Sequence, residues 1–157
     1  AGAARAYVNE YAVTPGQCVL VHGNNDDAFR SAVDLKRAGI DVAAVVDTRR
    51  QPGDAAAAML NDLGIELISS SGIAAVKGGR SGVKAVDIRP IGGGAARRIA
   101  CDSIASSAGW APAIHLHSQS GGKARWDDRL NCFRPDQRKQ AMRSVGSCNG
   151  TFEMAGG

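Results

Sequence analysis

The chain has 157 residues, of which 44% are hydrophobic and 22% charged, an ordinary balance for one folded domain with its own core. No apolar run approaches the ~20 residues of a membrane span. The formal net charge of +4 permits an acidic partner, and the positive excess lies late in the chain, at Lys123, Arg125, Arg129, Arg134, Arg138, Lys139 and Arg143. Because no aromatic platform or nucleic-acid motif accompanies these charges, they predict a solvated face without nucleic-acid binding.

The first half of the chain alternates between helical and strand patterns. The predicted order is a helix over 5–11, a strand over 18–21, a helix over 25–38, a strand over 42–46, a helix over 54–63 and a strand over 65–68. The run from Cys18 to Val21 is apolar without alternation, as expected for a parallel strand buried on both faces. Gly39 and Gly64 follow two of the helical patterns and are typical of helix ends.

After residue 70 the pattern changes to short extended segments separated by glycines. These segments cover 73–77, 83–89 and 97–101, and a last buried strand over 102–106 returns to the parallel sheet. The sequence therefore predicts an α/β, Rossmann-like domain over 1–109, with a parallel sheet flanked by helices and a three-stranded antiparallel meander. The remainder, 110–157, predicts an irregular segment without a long helix, although 149–157 begins a helix-like pattern.

The stretch Val21-His22-Gly23-Asn24-Asn25 joins a buried strand to a helix, as in a dinucleotide-binding turn. Such a turn uses three glycines, for the tight bend, for the approach of the pyrophosphate and for close packing of helix on strand. Gly23 supplies the first, while Asn25 and Ala28 stand at the second and third positions. Ala28 is small enough to serve, whereas the Asn25 side chain crowds the pyrophosphate.

Acidic residues beside this turn support two opposite interpretations. Asp47 ends the second strand, 24 residues after Gly23, where a carboxylate binds an adenosine ribose and favours NAD over NADP. Asp26 and Asp27, however, bring negative charge to the helix N-terminus, where with Asn24 they would cap the helix and repel a phosphate. Arg49 and Arg50 also weaken the preference for NAD, since they would accept a 2′-phosphate.

Two hypotheses remain open at this point. In the first, Gly23, Asn24, Asn25, Ala28 and Asp47 contact a dinucleotide. In the second, the domain keeps the nucleotide-binding shape without tight binding. His22 also stands beside this turn, at the strand end.

No catalytic arrangement or metal site is predicted. His115 and His117 are two residues apart, but no third ligand stands at metal-binding spacing. The four cysteines form no CxxC pair, which argues against a redox-active disulfide reductase and favours a reducing cytoplasm. No signal peptide is visible. We therefore expect a cytoplasmic protein without a membrane partner.

The stretch SSAGWAP at 106–112 resembles the return crossing of two-dinucleotide-binding flavoprotein folds. Three motifs resemble the alpha subunit of heterotetrameric sarcosine oxidase, namely IHLHSQSGGK at 114–123 followed by Trp126-Asp127, GNND at 23–26, and GSCNGTF at 146–152. The resemblance runs from about residue 5 to the end, and HSQSGGK is its most specific part. It implies that the chain is an inserted, NAD(P)-binding-like domain of a two-dinucleotide-binding flavoprotein fold.

The resemblance implies a parent complex that oxidatively demethylates sarcosine to glycine, formaldehyde and hydrogen peroxide, or passes the one-carbon unit to tetrahydrofolate. The resemblance also implies FAD in the beta subunit, FMN at the alpha–beta interface and NAD in the alpha subunit. Because these flavins lie outside this chain, no turnover is expected of the chain alone. The implied partners are the beta, gamma and delta subunits and the rest of the alpha subunit. Two alternatives stay open, a structural docking domain and the same domain from an opine or amine oxidase or dehydrogenase.

Overall fold

A parallel sheet of four strands positions the candidate site. The computed structural model describes residues 1–130 and 132–152. The sheet has the order β3-β2-β1-β7, with β1 at Cys18–Gly23, β2 at Asp41–Asp47, β3 at Leu67–Ile68 and β7 at Ser103–Ser107. All three pairings are parallel, and β1 is hydrogen-bonded on both sides.

Three helices accompany this sheet, α1 at Gly2–Tyr11, α2 at Asp26–Arg37 and α3 at Asp54–Asp62. The charges of α2 match the helix dipole, because acids occupy its first turn and Lys36 and Arg37 its last turn. Gly39 follows α2 with a positive φ of 83°, a conformation that glycine adopts without a steric cost. An ion pair of 2.7 Å between Arg5 and Asp34 links α1 to α2.

The predicted meander forms a separate antiparallel sheet. Its order is β4-β5-β6, with β4 at Ser71–Gly79, β5 at Gly82–Pro90 and β6 at Arg97–Ala100. Val86 and Ile88 of β5 are buried together with Leu20 of β1 and Val46 of β2. The meander therefore covers one face of the parallel sheet.

The helices cover the opposite face. Val19 and Val21 of β1 pack there with Phe29 and Leu35 of α2, and all four side chains are at most 1% exposed. Because successive strand residues point to opposite faces, the central residues of β1, Val19 to Val21, must all be apolar to serve both cores. This explains the unbroken apolar run in the sequence.

The chain divides into two compact units, one of residues 1–109 and one that begins at Trp110. The second unit contains the short helix α4 at His115–Gln119, the hairpin strands β8 at Ala124–Asp127 and β9 at Cys132–Pro135, and a 3-10 helix at Gly146–Asn149. None of the helices in the described part of the chain has both the length and the apolar character needed to cross a lipid bilayer.

The predicted fold class is confirmed, with differences at the element ends. The third parallel strand is only Leu67–Ile68, and the last one is Ser103–Ser107, one residue later than predicted. The Asp102 side chain instead accepts hydrogen bonds from the amides of Gln17 and Cys18. The hairpin of the second unit was not predicted. Within 149–152 only Asn149 is helical, as the last residue of a 3-10 helix, and the rest of the helix-like pattern, 153–157, lies outside the described residues.

Candidate functional site

Gly23 ends β1 at the carboxyl edge of the parallel sheet. It lies in register with Asp47 on one side and Ser107 on the other. From β1 the chain continues to β2 and β3 on one side, whereas β7 lies on the other side. The turn after Gly23 therefore occupies the topological switch point, where open α/β sheets bind their ligands.

Close packing explains why residue 23 is glycine. A Cβ atom there would lie 2.6 Å from the Ala28 Cβ and 2.9 Å from the Ser107 carbonyl oxygen. Ala28 is itself 1% exposed. The two small residues thus let the first turn of α2 approach the ends of β1 and β7, as the first and third positions of a dinucleotide-binding turn do.

We expect Gly23→Ala to lower the free energy of unfolding by about 1–3 kcal/mol, because the added methyl group overlaps backbone and side-chain atoms. The double variant Gly23→Ala/Ala28→Gly should recover part of that loss, since it removes the shorter of the two contacts. Gly72→Ala is the matched control, because nothing lies within 4 Å of a Cβ there. Urea unfolding measures all three, and equal losses at positions 23 and 72 would contradict the packing argument.

Asn25 caps helix α2 with its side chain. Its Oδ1 accepts the Asp27 amide at 3.1 Å and the Ser107 hydroxyl at 3.1 Å. Its Nδ2 donates to the Ser107 carbonyl at 3.1 Å and to Asn24 Oδ1 at 2.9 Å. The expectation that Asn24, Asp26 and Asp27 cap the helix was wrong, because Asn25 has the extended backbone and side-chain position of the N-cap. The Asp27 amide at the start of α2 therefore has its hydrogen-bond partner within the protein.

The carboxylate of Asp47 is bound by Arg49. Oδ1 accepts the Arg49 backbone amide at 2.7 Å and Nε at 3.1 Å, and Oδ2 accepts Nε at 3.1 Å and Nη2 at 2.7 Å. The Asp47 side chain is only 1% exposed. These hydrogen bonds to Asp47 are the main reason why the pKa of Arg49 lies above its usual value.

The same guanidinium extends to the first turn of α2. Arg49 Nη1 lies 2.9 Å from Asp26 Oδ1, and the guanidinium carbon lies 5.4 Å from the centre of the Phe29 ring, within cation–π distance. We call the group Asp26–Arg49–Asp47 the Arg49 bridge. It connects the end of β2 to the start of α2, across the place where a ribose would lie in a dinucleotide site.

His22 contributes the one buried side-chain nitrogen without a partner in the described part of the chain, Nε2. It stands between Val46 and Ser106 in the sheet, one residue before Gly23. Burial lowers the pKa of His22 below its ordinary value of 6.5, against the opposing charge of Asp47. The ring is therefore neutral at pH 7.

This lowered pKa predicts a pH-dependent stability. As the pH falls through about 6.5, His22 binds a proton more readily in the unfolded chain than in the folded protein. The free energy of unfolding should therefore fall as the pH decreases from about 7.5 to 5.5. His22→Leu should flatten this slope, whereas substitution of the exposed His115 by Gln should not. Urea midpoints across this pH range measure the effect, and an unchanged slope in His22→Leu would refute it.

The structure brings the five predicted residues, Gly23, Asn24, Asn25, Ala28 and Asp47, to one end of the sheet. Their present contacts do not fit a bound dinucleotide, because the Asn25 side chain caps the helix and the carboxylate of Asp47 is fully engaged. Sequence reasoning missed Ser107, which holds Asn25 from the far strand. Only the return of β7 beside β1 could have indicated it.

The two later histidines occupy different environments. His117 is 3% exposed and its Nε2 donates to the Lys123 carbonyl at 3.0 Å, while His115 is exposed. A Cβ on Gly122 would lie 2.5 Å from His117 Nε2, so the glycine lies directly against the ring. The HSQSGGK motif thus folds around its buried histidine. Residues 1–130 and 132–152 contain no cluster of three or more side chains that could bind a metal ion.

The hairpin of the second unit exposes an aromatic pair. Trp126 and Phe133 lie opposite each other, with ring centres 5.1 Å apart in an edge-to-face arrangement. They are 44% and 54% exposed. On the same hairpin Arg134 lies 3.0 Å from Asp127, and this contact lowers the pKa of the Asp127 carboxyl.

Comparison with known proteins gave relatives in sequence and in structure, while no family model matches. The chain is 34% identical over 160 residues to sarcosine oxidase subunit alpha of Corynebacterium sp. (strain P-1), covering 99% of this chain and 16% of the relative. It is 35% identical over 158 residues to the same subunit of Rhizobium meliloti (strain 1021), covering 100% of this chain and 14% of the relative. The chain therefore spans a small part of the length of these relatives.

Solved structures share the fold at lower identity. The bacillithiol disulfide reductase of Staphylococcus aureus has a TM-score of 0.61 at 15% identity, covering 87% of this chain and 48% of that one. Thioredoxin reductase of Lactococcus lactis has a TM-score of 0.59 at 21% identity, covering 87% and 49%. The fold is therefore the Rossmann-like fold of FAD/NAD(P)-binding proteins. Over its whole length the chain is homologous to one segment of the sarcosine oxidase alpha subunit, which confirms the family resemblance of its motifs.

Proposed function

We propose that this chain is a nucleotide-binding-type domain of a sarcosine oxidase alpha-like subunit and acts there as a structural scaffold. One observation carries the scaffold role: side chains of the domain itself fill the turn at its switch point. Asn25 binds the helix amide, and Arg49 takes both oxygens of Asp47. The proposed parent complex works in the cytoplasm and contains this domain beside the rest of the alpha subunit and the beta, gamma and delta subunits.

The reaction proposed for the parent complex is the oxidative demethylation of sarcosine. Sarcosine, dioxygen and water yield glycine, formaldehyde and hydrogen peroxide, or the one-carbon unit passes to tetrahydrofolate. The redox chemistry belongs to FAD and FMN held elsewhere in the complex, and NAD to another part of the alpha subunit.

A second candidate function is NAD binding at this turn. It is favoured by the register that places Asp47 directly beside Gly23, the last residue of β1 before the turn into α2. In that case Gly23, Asn24, Asn25, Ala28 and Asp47 contact the dinucleotide. Arg49 must then leave Asp47, because a ribose and a guanidinium compete for the same two oxygens.

The exposed hairpin supports a docking contribution from the second unit. An aromatic pair on a two-stranded hairpin presents large apolar surface, and aromatic residues are enriched in protein interfaces. We propose that Trp126 and Phe133 contact other parts of the parent complex. This role is compatible with either function of the first unit.

A segment exchange tests the main proposal. The matching segment of the Rhizobium meliloti alpha subunit is replaced by this chain, and the hybrid is produced with its partner subunits. We expect assembly and oxidation of sarcosine in preference to proline or an opine, measured as hydrogen peroxide release. An exchange with an unrelated Rossmann-like domain is the control. Failure of assembly, or equal rescue by the control domain, would count against the proposal.

A further inference from the structure

Both carboxylate oxygens of Asp47 are fully occupied within the protein. Four contacts of 2.7–3.1 Å from the backbone and side chain of Arg49 reach them, two on each oxygen. A carboxylate offers about four acceptor positions. No acceptor position is then left for the two hydroxyl groups of a ribose.

Arg49 is held there against the helix dipole. A cation near the start of a helix is unfavourable, because the N-terminus carries partial positive charge. Asp26 and Asp47 compensate for this on either side of the guanidinium, and the Phe29 ring lies beneath it. Three independent contacts therefore fix one side chain at a position where it would otherwise be repelled.

The neighbouring Arg50 has none of these contacts. Arg50 is exposed and makes no hydrogen bond or ion pair within residues 1–130 and 132–152. Both arginines stand after the same strand and carry the same charge. Charge alone therefore does not decide which of them joins the bridge; the position next to Asp47 and Asp26 does.

We infer that the Arg49 bridge excludes NAD from the switch point, so that Arg49 determines the ligand specificity of this domain. The inference deepens the proposed function, on which it rests for the class of ligand. The Arg49 guanidinium occupies the oxygens of Asp47 that would bind a ribose. The Asn25 side chain accepts the hydrogen bond of the Asp27 amide, which would otherwise be available to a phosphate. The domain thus satisfies with its own side chains the polar groups that a dinucleotide would otherwise satisfy.

An NAD titration of three proteins tests this inference by residue-resolved chemical shifts. The wild-type chain should show no NAD-dependent shifts at Gly23 or Asp47. Arg49→Ala removes the three side-chain contacts with Asp47 and leaves only the backbone amide on Oδ1. Oδ2 and part of Oδ1 are then free to accept charge-assisted hydrogen bonds from a ribose, which should strengthen binding about tenfold or more. Arg50→Ala removes the same charge without touching the bridge and should behave as the wild type.

Two results would overturn the inference. One is NAD binding by the wild-type chain with shifts at Gly23 and Asp47, a readout that does not depend on the folding of any variant. The other is an Arg49→Ala protein that binds NAD no better than Arg50→Ala. The segment exchange described above fails or succeeds independently, because it measures assembly and sarcosine oxidation and not NAD binding by this chain.

Discussion

Phe29→Ala is expected to lower the free energy of unfolding of the first unit by about 3–5 kcal/mol, the largest effect of any substitution considered. Phe29 is 1% exposed and is the largest of the fully buried side chains. Its removal leaves a cavity between α2 and the parallel sheet that the surrounding valines and leucines cannot fill. It also removes the ring beneath the Arg49 guanidinium.

Two further variants separate these effects in urea unfolding experiments. Phe29→Leu keeps most of the volume and should cost less than about 1.5 kcal/mol, including the lost contact with Arg49. Tyr11→Ala removes an aromatic residue that is 66% exposed and should change stability by no more than about 0.5 kcal/mol. If Phe29→Ala costs no more than Tyr11→Ala, then Phe29 is not the centre of this core.

Arg49→Ala should lower the free energy of unfolding by about 2–3 kcal/mol, because it leaves the buried Asp47 carboxylate without its counter-charge. This loss of stability should be smaller than the ~3–5 kcal/mol expected when a fully buried ion pair is broken, because the Arg49 side chain is 31% exposed. A domain of ordinary stability tolerates such a loss and stays folded, since free energies of unfolding are about 5–15 kcal/mol.

A double-mutant cycle measures the Arg49 bridge itself. Asp47→Asn combined with Arg49→Ala removes the charge together with its partner, so the double variant should be more stable than Arg49→Ala alone. Arg50→Ala is the matched control and should stay within about 0.5 kcal/mol of the wild type. Additive losses of the two single variants would mean that Asp47 and Arg49 are not coupled.

Much of the first unit follows from local sequence patterns. The run Cys18–Val21 identifies β1 because a strand with a core on each face must be apolar throughout. The helical spacing after Asn25, followed by Gly39, gives α2 within one residue at its start and end. The hairpin of the second unit was missed because its exposed aromatic pair, Trp126 and Phe133, lacks the apolar alternation that marks a half-buried strand.

The location of the candidate site was also predictable from the sequence. Gly23 and Asp47 each end a buried strand, and parallel neighbours bring their carboxyl ends to one edge of the sheet. What these residues contact there was not predictable. Asn25 was expected to crowd a phosphate, yet it caps the helix, because Ser107 on a distant strand fixes its side chain.

The sequence by itself determined the Rossmann-like architecture, the family of the chain and the turn at its switch point, since these depend on local periodicity and on motifs. Only the tertiary structure decided that Arg49 and not Arg50 binds Asp47 and Asp26. That choice depends on the packing of α2 against β2, which places Phe29 beneath one guanidinium and leaves the next one in solvent. Periodicity carries no information about such contacts between elements.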